Sequence, residues 1–83
     1  VNKILIKLYV PMLEEEYEVW IPPNKKIHTV IGLLVKAVNE FSGGQYTPNK
    51  LPELYNKATG KCYDINLTVS ESDIKNSSDI ILL

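Results

Sequence analysis

The feature that most restricts this chain is a change of hydrophobic period near residue 24. Before it, "NKILIKLYV" and "EEEYEVWI" alternate apolar and polar residues. Ile4, Ile6, Leu8 and Val10 share one face, as do Tyr17, Val19 and Ile21. A period of two belongs to strands that bury one side. Pro11-Met12-Leu13 separates the two runs, which predicts a hairpin. After it, Ile27, Val30, Leu34, Val38 and Phe41 recur at steps of three and four, the period of a helix with an apolar stripe. Pro22-Pro23 ends the second strand, because proline has no N–H for a ladder. Asn24 is the predicted helix cap, and Ser42-Gly43-Gly44 the predicted stop.

The second half is less regular. "QYTPNKLP" reads as a polar loop and "ELYN" as a short strand with Leu54 inward. "NKATGK" is a turn around Gly60, and "CYDIN" a short return strand or an irregular stretch. In "TVSESDI", Thr68 or Ser70 caps a single turn that Val69 and Ile74 anchor. "SDIILL" is a last strand with Ile80 and Leu82 inward. Its apolar character places it beside the first strand, parallel to it, in the middle of the sheet. The expectation is one α+β domain over residues 1–83, with a mixed sheet of four or five strands and one helix across one face.

A chain of 83 residues holds one modest core, with a net stability of about 5 kcal/mol. The net charge is −1, and all nine basic residues are lysines. Without arginine there are no bidentate forks for phosphate or guanine, so no nucleic-acid partner is expected. One cysteine makes no internal disulfide, which favours an intracellular setting over a secreted one. No apolar run approaches the ~18 residues of a membrane span.

These elements, in this order, resemble the ubiquitin-like β-grasp superfamily over nearly the whole chain. The resemblance lies in the opening hairpin, in Pro22-Pro23 before the Ile27/Val30/Leu34 helix, and in Leu54-Tyr55. The closing "TVSESDIKNSSDIILL" is its most specific part, with a turn, an aliphatic anchor, a polar knot and a final strand at fixed spacing. Within the superfamily the chain looks most like the small bacterial YukD-type proteins, through its strongly apolar helix and its Asp79, Ile80 and Leu83 ending. Such proteins are accessory components encoded with type VII secretion systems. The resemblance implies a cytoplasmic, non-enzymatic interaction protein with protein partners and no cofactor.

Ubiquitin and the sulfur carriers act through a flexible tail ending in Gly-Gly. This chain stops at Leu83, inside the expected strand, and Gly43-Gly44 sits at a helix end. No conjugated tail is therefore expected. Two alternatives stand beside this reading. One is a sulfur carrier or conjugated modifier whose tail is missing, since Val1 is not a methionine and the chain could be trimmed. The other is a β-grasp domain cut from a larger membrane protein.

The residues that could carry chemistry are sparse. His28 and Cys62 are single and lie on different elements, so no nucleophile–base pair is expected. Glu14, Glu16 and Glu18 fall at period two, ~7 Å apart along an open strand face. Nothing there encloses a carboxylate and raises its pKa, so a solvated recognition surface for a basic partner is expected. Asp64, Asp73 and Asp79 are scattered, without calcium or zinc spacing.

Trp20 points away from the helix-covered face by alternation. Leu5, Tyr9 and Ile81 are out of phase with their strands' core residues and point the same way. Leu5, Tyr9, Glu16, Glu18, Trp20 and Ile81 are thus the candidate protein-docking surface. The competing reading has Trp20 capping the sheet edge under the loop around Tyr46. Ile31 and Val35 offer a second surface, which the loop from Gln45 to Pro52 is expected to cover.

Overall fold

The computed structural model describes residues 2–83. Strand β1 spans Ile4–Val10 and β2 spans Glu15–Ile21. Helix α1 spans Ile27–Phe41. Strand β3 spans Leu54–Asn56, a 3₁₀ turn spans Val69–Glu71, and β4 spans Asp79–Leu82. The sheet order is β2-β1-β4-β3. β1 and β4 run parallel, and the two outer pairings are antiparallel.

Alternation decides which side of the sheet is buried. Ile6, Leu8 and Val10 of β1, Val19 and Ile21 of β2, Leu54, Ile80 and Leu82 all point to the helix. Ile27, Val30, Ile31, Leu34 and Val38 of α1 meet them. No polar or charged side chain is buried among the described residues. The core is therefore held by apolar burial and packing, without internal ion pairs.

The hairpin turn occupies residues 11–14, where the Leu13 and Glu14 N–H groups donate to the Val10 and Pro11 carbonyls at 3.0 and 3.1 Å. Glu14 takes a left-handed conformation there (φ 53°). It belongs to the turn, so the acidic row expected at residues 14, 16 and 18 is shortened to Glu16 and Glu18 within the strand.

The helix also starts differently from the expectation. Its N-cap is Lys26, without a side-chain bond, and Asn24 plays no capping part. The end is satisfied from across the fold instead. The Ile27 and His28 N–H groups donate to the Leu67 and Ile65 carbonyls at 2.8 and 3.1 Å. In return Val69 and Ser70 donate to the carbonyls of Lys25 and Pro23. A neighbouring segment thus supplies the acceptors that a cap side chain normally provides. At the other end Gly43 and Gly44 adopt positive φ, and Gly44 N–H reaches the Asn39 carbonyl at 2.8 Å. This closes the helix where the glycines predicted.

Two parts of the second half depart from the sequence reading. Tyr46 leaves its polar loop and enters the core with 3% exposure, its carbonyl held by Asn39 Nδ2 at 2.8 Å. The possible fifth strand at "CYDIN" is reduced to a single bridge between Tyr55 and Cys62. The segment leaves the ladder because Tyr63 turns to Asp73 and the Asp64 side chain accepts from Asn66 N–H.

Thr68 is the cap of the 3₁₀ turn. Its hydroxyl accepts from Glu71 N–H at 3.2 Å, while Glu71 Oε1 accepts from Thr68 N–H at 2.8 Å. Val69 and Ile74 anchor this segment in the core. A turn at Lys75–Ser78 then feeds β4 into the middle of the sheet.

Candidate docking surface

The face of the sheet away from α1 carries the six residues singled out by phase. The strand register arranges them in rows. Leu5 lies opposite Trp20 in the first row. Glu18, Lys7 and Asp79 make the second. Glu16, Tyr9, Ile81 and Tyr55 make the third, and the bridge from Tyr55 extends it to Cys62.

The rows divide the expected apolar patch. Leu5 and Trp20 form one apolar unit, and Tyr9, Ile81 and Tyr55 another. The charges of Glu18, Lys7 and Asp79 run between them. Trp20 is 60% exposed, whereas Leu5, Tyr9 and Ile81 are half-buried. Tyr46, the proposed cover for Trp20, is buried on the helix side and lines a shallow groove with Val35 and Asn39. Trp20 therefore stands open, and the edge-cap reading is set aside. Leu5 is fixed from its other side, where its N–H donates to Asn76 Oδ1 and its carbonyl accepts from Ser77, both at 2.7 Å.

Lys57 organises the third row. Its Nζ lies 3.8 Å from Glu16 Oε2 and 5.2 Å above the Tyr9 ring. Both partners are exposed, so the ion pair contributes little to stability. It does place a cation over an aromatic face. Sequence reading missed Lys57, because its position depends on the second hairpin. It missed Tyr55 as well, although alternation with the inward Leu54 could have placed Tyr55 on this face.

At the far end of the row, Glu53 Oε1 accepts from the Tyr55 hydroxyl at 3.1 Å and from Cys62 Sγ at 3.3 Å. The hydrogen bond to Glu53 and partial burial push the Tyr55 pKa up. Burial and the same carboxylate push up that of Cys62. A thiol held protonated is a poor nucleophile. His28 sits exposed on the first turn of α1, with Nδ1 3.4 Å from Thr29 Oγ1. Among the described residues, no group of three or more His, Cys, Asp or Glu side chains is placed to hold a metal ion.

The second expected surface, on α1, largely closes. Ile31 is 1% exposed and belongs to the core, packed with Ile27, Val30, Leu34 and Val38 against the sheet. Val35 packs partly against that core beside Tyr46. Leu33 is the apolar helix residue left open on that side.

No protein-family model and no curated protein sequence matches the chain. Solved structures do. The EccD5 ubiquitin-like domain from Mycobacterium xenopi superposes with a TM-score of 0.83 at 17% identity, covering 100% of this chain and 94% of that one. The ubiquitin-like domain of the Mycobacterium tuberculosis type VII secretion protein ECCD1 gives 0.77 at 10% identity, covering 100% and 99%. A chain of the MycP5-free ESX-5 inner membrane complex gives 0.82 at 12% identity, where this chain covers 21% of the longer one. At such identities the likeness establishes the fold, which is a ubiquitin-like β-grasp. No described helix is long and apolar enough to cross a membrane.

Proposed function

We propose that the chain is a non-catalytic ubiquitin-like docking module of a bacterial type VII-like secretion system, of the YukD kind and working in the cytoplasm. The observation that carries the docking role is Trp20. A tryptophan 60% exposed on a sheet face loses much by staying in water and gains by burial in a partner. Leu5 gives it a flat apolar neighbour, and Glu18, Lys7 and Asp79 give a rim of charges that fixes orientation. The secretion assignment is supported by the likeness to ubiquitin-like domains of type VII proteins.

A second reading has one observation in its favour. The same fold occurs as 21% of a longer chain in an inner membrane complex. On that reading the docking face belongs to one domain of a membrane component.

Binding to the cytoplasmic components of the secretion complex tests the proposal. Trp20→Ala should weaken it by about 30-fold or more, the scale of an interface hot spot. The variant's far-UV spectrum should match wild type, and its Tm should fall by no more than about 4–8 °C. Unchanged binding would refute the docking face. The intact mass of the protein from its native cells then separates a small free module from a domain of something larger.

A further inference from the structure

We propose a second docking element, distinct from the Trp20 face: the free edge of β2, which takes up an extended, lysine- or arginine-bearing strand from a partner protein. Every other strand has both long edges occupied or covered. β1 lies between β2 and β4, and β4 between β1 and β3. The outer side of β3 meets the segment around Cys62 through the Tyr55–Cys62 bridge, and Asn56 N–H donates to the Lys61 carbonyl. β2 has β1 on one side and no described strand on the other.

The hydrogen bonds of β1 show which β2 groups face outward. Leu5 accepts from Ser77 N–H, and Lys7 N–H donates to the Ser78 carbonyl, so Leu5 and Lys7 direct their backbone groups to the β4 side. Backbone direction alternates along a strand, so Ile6 and Leu8 direct theirs to β2. Their register partners, Val19 and Tyr17, return those bonds. Glu16, Glu18 and Trp20 lie opposite Tyr9, Lys7 and Leu5 and must therefore point their N–H and C=O groups away from the sheet. Those groups are the template that an added strand would pair with.

Charge selects the occupant. From Pro11 to Ile21 the chain carries Glu14, Glu15, Glu16 and Glu18 and no basic residue. A second copy adding its own β2 antiparallel would oppose carboxylate to carboxylate. Centred on Glu18 it sets Glu18 against itself, and centred on Tyr17 it sets Glu16 against Glu18. Like charges directly opposite destabilise a pairing, so both of these registers, which centre the contact on the acidic run, are disfavoured for a second copy. A strand with lysine or arginine at alternate positions meets the opposite condition. Its other side chains would find Leu13, Tyr17 and Phe41, which line a shallow groove between β2 and the end of α1. Phe41 is 53% exposed there, its ring 5.4 Å from that of Tyr17.

The probe is a seven-residue peptide of alternating valine and lysine, acetylated and amidated at its ends. It is titrated into the ¹⁵N-labelled chain, and amide exchange is read at saturation. Exchange at Glu16, Glu18 and Trp20 should slow at least about tenfold, as for amides entering a sheet, while Tyr17 and Val19 stay as they are. The matching peptide with glutamate for lysine should not bind. Glu18→Pro removes one outward N–H that the fold does not use and should abolish the slowing. Glu16→Lys with Glu18→Lys keeps every backbone group and should weaken the lysine peptide about tenfold, through reversed cross-strand charge. It decides the matter if the proline variant does not fold. No binding at millimolar peptide, binding without slowing at these amides, or equal binding of the glutamate peptide would overturn the proposal. The peptide does not test the Trp20–Leu5 face, so such a failure leaves the docking role above intact.

Discussion

Replacing Tyr63 with phenylalanine removes one hydroxyl and leaves the ring that packs against the core. That hydroxyl donates to Asp73 Oδ1 at 2.7 Å, and the other oxygen of Asp73 accepts from Asn56 Nδ2 at 3.3 Å. The network ties the second hairpin to the segment that leads into β4. A hydrogen bond to a charged acceptor contributes about 1.5–3 kcal/mol when shielded, and exposure of Asp73 brings the expected loss to about 1 kcal/mol. In a domain of this size that lowers Tm by about 4–8 °C. The effect carries a pH signature. Burial, then the bond to Asp73, raises the Tyr63 pKa in the folded protein. Stability from a raised pKa is complete below the unfolded value, near 10 for tyrosine, and is lost as pH rises through the folded value. Thermal melts of both proteins from pH 7 to pH 11 should show the gap constant at first and narrowing at the alkaline end. Equal Tm values at pH 7 would refute the stabilising role of the bond. A gap that widens at alkaline pH would refute the linkage.

Tyr46→Ala should cost about 3–5 kcal/mol by leaving an aromatic-sized cavity, most of the about 5 kcal/mol expected for the domain, whereas Tyr46→Phe should cost about 0.5 kcal/mol or less; urea melts followed by circular dichroism distinguish them. Trp20 is the single tryptophan, so its emission should match an indole in water and should be quenched freely by neutral acrylamide. Trp20→Ala should cost about 1 kcal/mol at most, the scale of the lost cross-strand pair with Leu5, in the same urea melts. Thr68→Ala should cost about 1 kcal/mol through the lost cap. Hydrogen bonds from Thr68 lower the Glu71 pKa, so the gap between wild type and Glu71→Gln should be present at pH 7 and vanish as pH falls through the folded value, read as Tm against pH.

The hairpin and the helix were legible because each has a strong internal period, and the last strand because an apolar run follows a polar turn. Alternation alone assigned Trp20, Glu16 and Glu18 to one face and Val19 and Ile21 to the other. The Ser42-Gly43-Gly44 stop and the Thr68 cap were legible because each acts within a few residues of itself. The candidate surface was legible only by phase. Phase says which side a residue faces and not which residue lies beside it. It grouped Leu5, Tyr9, Trp20 and Ile81 as one patch, and the pairing of β1 with β2 and β4 then placed Glu18, Lys7 and Asp79 across the middle.

The local periods of this chain determined its element types and its buried faces, since those follow from how apolar side chains repeat along a backbone, and the apolar run of the last strand pointed to a place inside the sheet. Contacts between distant segments decided the rest. The start of α1 is satisfied by carbonyls at Ile65 and Leu67, some forty residues away along the chain, so Asn24 had no capping role to fill. Tyr46 is core because Asn39 holds its backbone and its ring joins the cluster on the helix side of the sheet, although its neighbours read as a polar loop. Lys57 stands over Tyr9 because the second hairpin returns it there. The free edge of β2 exists because β4 took the other side of β1. Each is a pairing between segments far apart in the chain, and pairings of that kind leave no periodic trace in the sequence.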